Sequence, residues 1–192
     1  MANFDHILRS YQQIPIRYLG KGSFGHVSLS YDLERGIIAT KVIPGEKFDK
    51  KEIDMGIDIW KYGKPCLFVL KTTGYHAFGK FPILQTDYCN MKTLNIIAKQ
   101  PQIDLPSFAL RALMKQILIG LQFFHSGGLI HRDIKCDNIL LHSPPGSRKV
   151  YVQIADFGLT KMIDAQIGRS YAAGTLPFMA PELFNNQAAT QK

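Results

Sequence analysis

The octet His131-Arg132-Asp133-Ile134-Lys135-Cys136-Asp137-Asn138 gathers an acid, a cation and a neutral amide oxygen in one short run. Asp133 is suited to accept or orient the proton of a hydroxyl, and Lys135 to steady the charge on a migrating phosphoryl group. Asn138, five residues beyond Asp133, offers a neutral oxygen to a magnesium ion. Any one of these residues alone reads as part of a solvated charged loop; the eight in this order do not. Asp156-Phe157-Gly158 follows eighteen residues after Asn138. The Asp156 carboxylate suits a hard cation that bridges phosphates, since such ions prefer oxygen donors. As a bare tripeptide it is ordinary turn material.

Upstream, Leu19-Gly20-Lys21-Gly22-Ser23-Phe24-Gly25-His26-Val27 carries three glycines in a G-x-G-x-x-G-x-V pattern. Glycines let backbone amides approach phosphate oxygens without side-chain collision. The competing reading is a dinucleotide-binding fingerprint, which needs a helix directly after the last glycine. Val27, Leu29 and Tyr31 instead alternate as a strand, so that reading fails. Lys41 lies sixteen residues after Gly25, at the end of an apolar run. Such a lysine is usually a snorkelling surface residue; its register behind the glycine turn favours an ammonium that reaches nucleotide phosphates.

These residues need elements to hold them. Extended runs at 18–19, 27–31 and 36–43 flank the glycine turn, and 66–71 and 81–88 read as two further strands. Pro106 suits a first helical position, and Leu110, Leu113, Met114, Ile117, Leu118, Leu121 and Phe124 recur at three and four until Gly127-Gly128. Short strands are predicted at 138–141 and 150–155. Strands first and helix later give an α+β arrangement of two lobes.

The formal charge of +8 raises the question of nucleic acid. Residues 1–96 carry 13 basic and 9 acidic side chains and residues 97–192 carry 10 and 6, so each half is +4 and no basic block exists. A spread of solvated lysines is expected, with no nucleic-acid partner. The opening MANFDHILRS has no cationic segment ahead of an apolar core, and no apolar run is long enough to span a bilayer, so no membrane partner is expected. Cys66, Cys89 and Cys136 are far apart, without metal-ligand or redox spacing, which fits a reducing intracellular, cytoplasmic setting.

The ordered series ends with Gly174-Thr175-Leu176-Pro177-Phe178-Met179-Ala180-Pro181-Glu182. Taken together, the glycine turn, strand lysine, H-R-D loop, D-F-G and A-P-E resemble the eukaryotic-type protein kinase family from residue 19 to residue 182. The resemblance implies a bilobal fold, with a β-rich small lobe (1–86), a hinge (87–91) and a mainly α large lobe (92–192). It implies ATP and Mg2+ as cofactors and transfer of the γ-phosphate to protein substrates. Lys135 two residues after Asp133, and the Gly174-Thr175 pair, are similar to the serine/threonine type.

By the same resemblance Leu19, Val27, Ala39 and Leu140 would sandwich the adenine. Thr86 would be the gatekeeper, and backbone groups of Asp87 and Cys89 would bind the adenine edge. Arg132 would pair with a phosphate placed by an upstream activating kinase, the candidates being Ser170, Tyr171 and Thr160. The family's helix glutamate would be Glu52, only eleven residues after Lys41, with Asp54 as a fallback; Gly56 stands where a large apolar residue is expected. The chain ends ten residues after Glu182, so the resemblance implies a large lobe incomplete at its C-terminal end and little activity for these residues alone. The rival class is a catalytically idle pseudokinase or truncated scaffold.

Overall fold

The computed structural model describes residues 4–22, 25–48, 50, 54, 57, 65–77, 80–162 and 175–179. Their contacts divide into two compact units, one from residues 1–57 and 71–88, the other from 58–70 and 89–192. Of the described residues ahead of β4, 65–70 group with the second unit.

The first unit is a five-stranded antiparallel sheet of β1 (Gln13–Gly22), β2 (Gly25–Asp32), β3 (Gly36–Val42), β4 (Thr72–His76) and β5 (Ile83–Asp87), in the order β1-β2-β3-β5-β4. Pro15 is tolerated because β1 is an edge strand. At the β2–β3 corner Asp32 Oδ1 accepts the Glu34 and Arg35 N–H groups, both at 3.0 Å, which turns the chain. Strand periodicity then sorts the faces. Ile38, Thr40 and Val42 of β3 and Ile83 and Gln85 of β5 are buried, whereas Ala39, Lys41, Leu84 and Thr86 between them are half-buried. The buried face is partly polar. Thr40 Oγ1 donates to Gln13 Oε1 at 2.7 Å, and Gln85 Nε2 donates to Asp32 Oδ2 at 3.2 Å. Its apolar end, Val42 and Ile83, packs with Ile7 and Leu8 of a short helix α1 (Asp5–Ser10).

The second unit is built on the predicted helix. α3 (Ser107–Ser126) starts one residue later than expected, with Pro106 in the cap position at ψ 140°. Pro106 has no N–H to lose, so it is as well suited to the cap as to the first turn. Of the predicted stripe, Ile117 and Phe124 are buried and Leu113 and Leu121 half-buried, while Leu110, Met114 and Leu118 are exposed. Ile117 joins Ile139 and Leu141 of β7 (Ile139–His142) and Val152 of β8 (Tyr151–Ile154) in the core. Gln116 binds the β8 end of this layer, its Oε1 accepting the Val152 N–H at 2.9 Å. The remaining described elements are α2 (Asn95–Ala98), β6 (Leu129–Ile130) and β9 (Lys161–Met162), with β6 paired to β9.

Residues 66–71 are not the predicted strand. The segment forms a turn and a single bridge, Val69 to Ile154, with the Leu70 N–H donating to Ile154 O and the Ile154 N–H to Phe68 O. Gly120 makes the approach possible: a Cβ there would lie 2.7 Å from Ile154 Cδ1 and 3.0 Å from Phe68 O. α1 and β4 are absent from the sequence expectations and present in the fold.

Candidate active site

Helix α3 delivers the chain to the octet through β6, and Phe124, fully buried in its last turn, supplies the wall behind it. The Phe124 ring lies 5.4 Å from His131 and 5.5 Å from Phe157, and these two are 6.1 Å apart, edge to face. Such tilted and edge-on contacts join positive ring edges to negative faces. One aromatic group thereby fixes the loop bearing Asp133 relative to the turn bearing Asp156.

His131 is also a backbone tie. Its Nδ1 accepts the Asp133 N–H at 3.3 Å, so Nε2 holds the proton and donates to Ala155 O at 3.1 Å. Burial pushes its pKa below the ordinary value, against the raising effect of the Ala155 bond and of the Asp156 and Asp133 carboxylates. The imidazole is therefore neutral at neutral pH, the state its hydrogen bonds require.

Asp133 is the centre of the site. Burial alone would raise its pKa, but hydrogen bonds from Lys135, Thr175 and Asn138, with the Lys135 charge, hold the carboxyl below the usual carboxylate range. Lys135 Nζ lies 2.7 Å from Oδ2, and both side chains are largely buried. Asn138 Nδ2 donates to the same oxygen at 2.8 Å and to the Asp133 carbonyl at 2.9 Å. Thr175 donates twice to Oδ1, from its hydroxyl at 2.7 Å and its N–H at 3.1 Å, and Lys135 Nζ also reaches Thr175 Oγ1 at 2.6 Å. Sequence reasoning valued Thr175 only as a type marker. Its contact with Asp133 spans 42 positions and leaves no local signal.

The donor set fits a magnesium ion. Asn138 spends its amide nitrogen on Asp133, which leaves Oδ1 as the atom that side chain could offer to a cation. The Ala155 N–H donates to Asn138 O at 2.8 Å, so Asp156 follows directly on a tie to Asn138. Among the described residues no cluster of three or more His, Cys, Asp or Glu could hold a metal. Two oxygen ligands from protein suit Mg2+, which keeps waters and takes phosphate oxygens. Arg132 and Asp156 flank this region at φ 66° and 67°. Non-glycine residues reach that region at a cost of about 1–3 kcal/mol, strain that collects at functional sites.

In the first unit, register pairs Val27 with Lys41 and Lys41 in turn with Leu84, and Leu29 with Ala39 and Ala39 in turn with Thr86. Val27, Ala39, Lys41 and Thr86 thus share the half-buried face. Gly22 pairs with Gly25 where β1 turns into β2. A Cβ on Gly20 would meet no atom within 4 Å. Among the described residues no atom packs against that position. Leu19 is half-buried, beside the register shift between Tyr18 and Gly20. Asp87 commits its N–H to Lys71 O at 3.1 Å, and Cys89 is buried with Sγ 3.2 Å from Gln153 Oε1. Leu140 of β7 points away from the core that holds Ile139 and Leu141.

Ser23, Phe24, Glu52, Ser170 and Tyr171 lie outside the described residues, as do Gly56, Gly174 and Glu182. Asp54 sits 3.4 Å from Lys50 as an exposed pair. Thr160 is only 7% exposed, which hides its hydroxyl from any modifying enzyme in this conformation. Arg132 Nε donates to Leu159 O at 2.5 Å, so the octet is also tied to the segment after Gly158.

A five-stranded antiparallel sheet bearing Lys41 and a second, largely helical unit bearing the Asp133-Lys135-Asn138-Thr175 cluster are what the sequence resemblance leads one to expect. The model of the protein kinase domain matches residues 14–192, and the chain belongs to that family. It is 34% identical over 171 residues to serine/threonine-protein kinase SBK1 of Danio rerio, covering 88% of this chain and 43% of that protein. It is 32% identical over 169 residues to serine/threonine-protein kinase pakH of Dictyostelium discoideum, covering 87% and 32%. With serine/threonine-protein kinase cst-1 of Caenorhabditis elegans it shares 31% over 167 residues, covering 86% and 32%. The chain thus spans less than half the length of these relatives. No described helix is long and apolar enough to cross a membrane.

Proposed function

We propose that this chain binds ATP with Mg2+ and transfers the γ-phosphate to serine or threonine hydroxyls of protein substrates. The observation that carries the reading is the Asp133 carboxylate, kept ionised and oriented by Lys135, Asn138 and Thr175. A carboxylate of lowered pKa is a weak base, so Asp133 orients the acceptor hydroxyl and takes its proton late, as the oxygen–phosphorus bond forms. The bond from the γ-phosphorus to the β–γ bridging oxygen breaks, and ADP leaves with that oxygen. Lys135 steadies the charge on the transferred group. Asn138 Oδ1 and the Asp156 carboxylate are the protein ligands of the magnesium ion. Bound there, the ion neutralises charge on the phosphate oxygens.

Lys41 and the glycine turn of Gly20, Lys21, Gly22, Ser23, Phe24 and Gly25 are assigned to the phosphates. Leu19, Val27, Ala39 and Leu140 are assigned to the adenine faces, and Thr86, Asp87 and Cys89 to its edge. Residues 1–86, 87–91 and 92–192 are the proposed small lobe, hinge and large lobe. Glu52 is the proposed partner of Lys41. Ser170 and Tyr171 are preferred over the buried Thr160 as sites for an upstream kinase. The wide spacing of Cys66, Cys89 and Cys136, without metal-ligand or redox pattern, supports an intracellular, cytoplasmic setting.

A thermal-shift titration tests the reading. ATP with magnesium raises the melting temperature in proportion to the logarithm of ligand concentration above its Kd. Asp156→Asn removes most of the magnesium-dependent part of that rise. A folded sample that gives no shift with saturating Mg-ATP contradicts the nucleotide assignment.

A further inference from the structure

Helix α1 lies ahead of the residues matched by the kinase family, which begin at 14. Six residues cannot sustain a helix in water on their own, so packing holds it. Leu8 is 0% exposed and Ile7 7%, both in a cluster with Val42 and Ile83. Phe4 and Tyr11 extend the contact at either end. The Phe4 ring lies 4.3 Å from the His26 ring, tilted 31°, and meets Phe81 edge-on at 6.4 Å. Tyr11 lies 5.4 Å from His76 and donates its hydroxyl to Phe81 O at 3.4 Å.

Two of these contacts, Phe4 with His26 and Leu8 with Val42, fall beside the residues assigned to the phosphates. His26 directly follows Gly25, Val42 directly follows Lys41, and His26 and Val42 are register partners. The backbone between them is tight: a Cβ on Gly25 would come within 2.2 Å of Val42 O. The start of β2 is therefore close against Val42, which clusters with Leu8, while Phe4, at the N-cap of the same helix, covers His26.

We propose that residues 4–11 are a positioning element for the nucleotide phosphates, with Phe4 acting through His26 on the arm of the glycine turn. The inference rests on the nucleotide reading above. Glycine has more conformational freedom to lose on ordering than any other residue. Anchoring one arm beforehand lowers that cost and strengthens ATP binding without a new ligand contact. The contacts given above all lie within the unit that carries the glycine turn, so the effect is expected on ATP rather than on the protein substrate.

Steady-state kinetics of the full chain separate the cases. Phe4→Ala raises KM for ATP by roughly two- to tenfold, the span over which one aromatic contact shifts an equilibrium. KM for a protein substrate and kcat stay within about twofold, the split that marks lost ground-state binding. Phe4→Tyr restores the ATP KM. His26→Ala repeats the effect, and the double variant adds little to either single change, the mark of a coupled pair. Val152→Ala, in the core of the second unit, lowers the melting temperature and leaves the ATP KM unchanged. An unchanged ATP KM in Phe4→Ala overturns the proposal, as does an equal rise in Val152→Ala. An inert wild type overturns the catalytic reading instead; the same ratio is then sought in ATP affinity by thermal shift, and a ratio of one overturns the positioning role. Absence of any ATP binding overturns both.

Discussion

Asp133→Asn is expected to lower phosphoryl transfer by about 10²–10⁴, the usual contribution of a positioned acid–base group. The change is nearly isosteric, so the Thr175 N–H and hydroxyl still find an oxygen to bond. What is lost is the charge. The new amide cannot take the hydroxyl proton, and the Lys135 ammonium, 2.7 Å away and largely buried, loses its counter-ion. Removing one member of a buried pair typically costs about 3–5 kcal/mol, and part of that appears here as reduced stability. ATP binding is expected to persist, because Asp133 is assigned to the acceptor hydroxyl and has no assigned contact with the nucleotide. Turnover and the ATP-induced thermal shift, measured on the same sample, check both halves. Near wild-type turnover contradicts the role given to Asp133.

Phe124→Ala carries the largest expected loss of stability, about 3–5 kcal/mol. The ring is 0% exposed and touches His131, Phe157 and Phe123, so its removal opens a cavity in a dense aromatic group. A folded domain is separated from its unfolded chain by about 5–15 kcal/mol, so the variant is expected to unfold at much lower urea. Turnover should fall further than the folded fraction, because His131 and Phe157 lose the wall that aligns Asp133 with Asp156. Urea midpoints with activity normalised to folded protein test this. A loss under about 1 kcal/mol would show that the surroundings collapse into the space.

How far the sequence discloses this arrangement depends on the range of each interaction. The octet, the D-F-G turn and the glycine turn are contiguous, and their chemistry is legible from residue type and spacing. Helix α3 is legible because its apolar period persists over 20 residues. Helix α1 has the same period in Phe4, Ile7, Leu8 and Tyr11, but over too few residues to stand out. Strand β4, Thr-Thr-Gly-Tyr-His, lacks alternation, because only Thr72 is buried. Residues 66–71 mislead in the opposite direction: Cys66, Val69 and Leu70 are buried without forming a strand, and only Val69 bridges one. The stripe on α3 overstates burial at Leu110, Met114 and Leu118, since periodicity marks a face without saying how much of it is covered. Thr175 shows the limit most plainly. It closes the Asp133 site from 42 positions away, and only the folded chain brings it there.

The most direct measurement is transfer of the γ-phosphate itself. The full chain is incubated with magnesium and ATP labelled at the γ-phosphate, together with a mixture of protein substrates. The labelled protein is then hydrolysed to its phosphoamino acids. The account predicts magnesium-dependent label on serine and threonine, and none above background with Asp133→Asn. ATP binding without any label on protein would contradict it and place the chain among catalytically idle scaffolds.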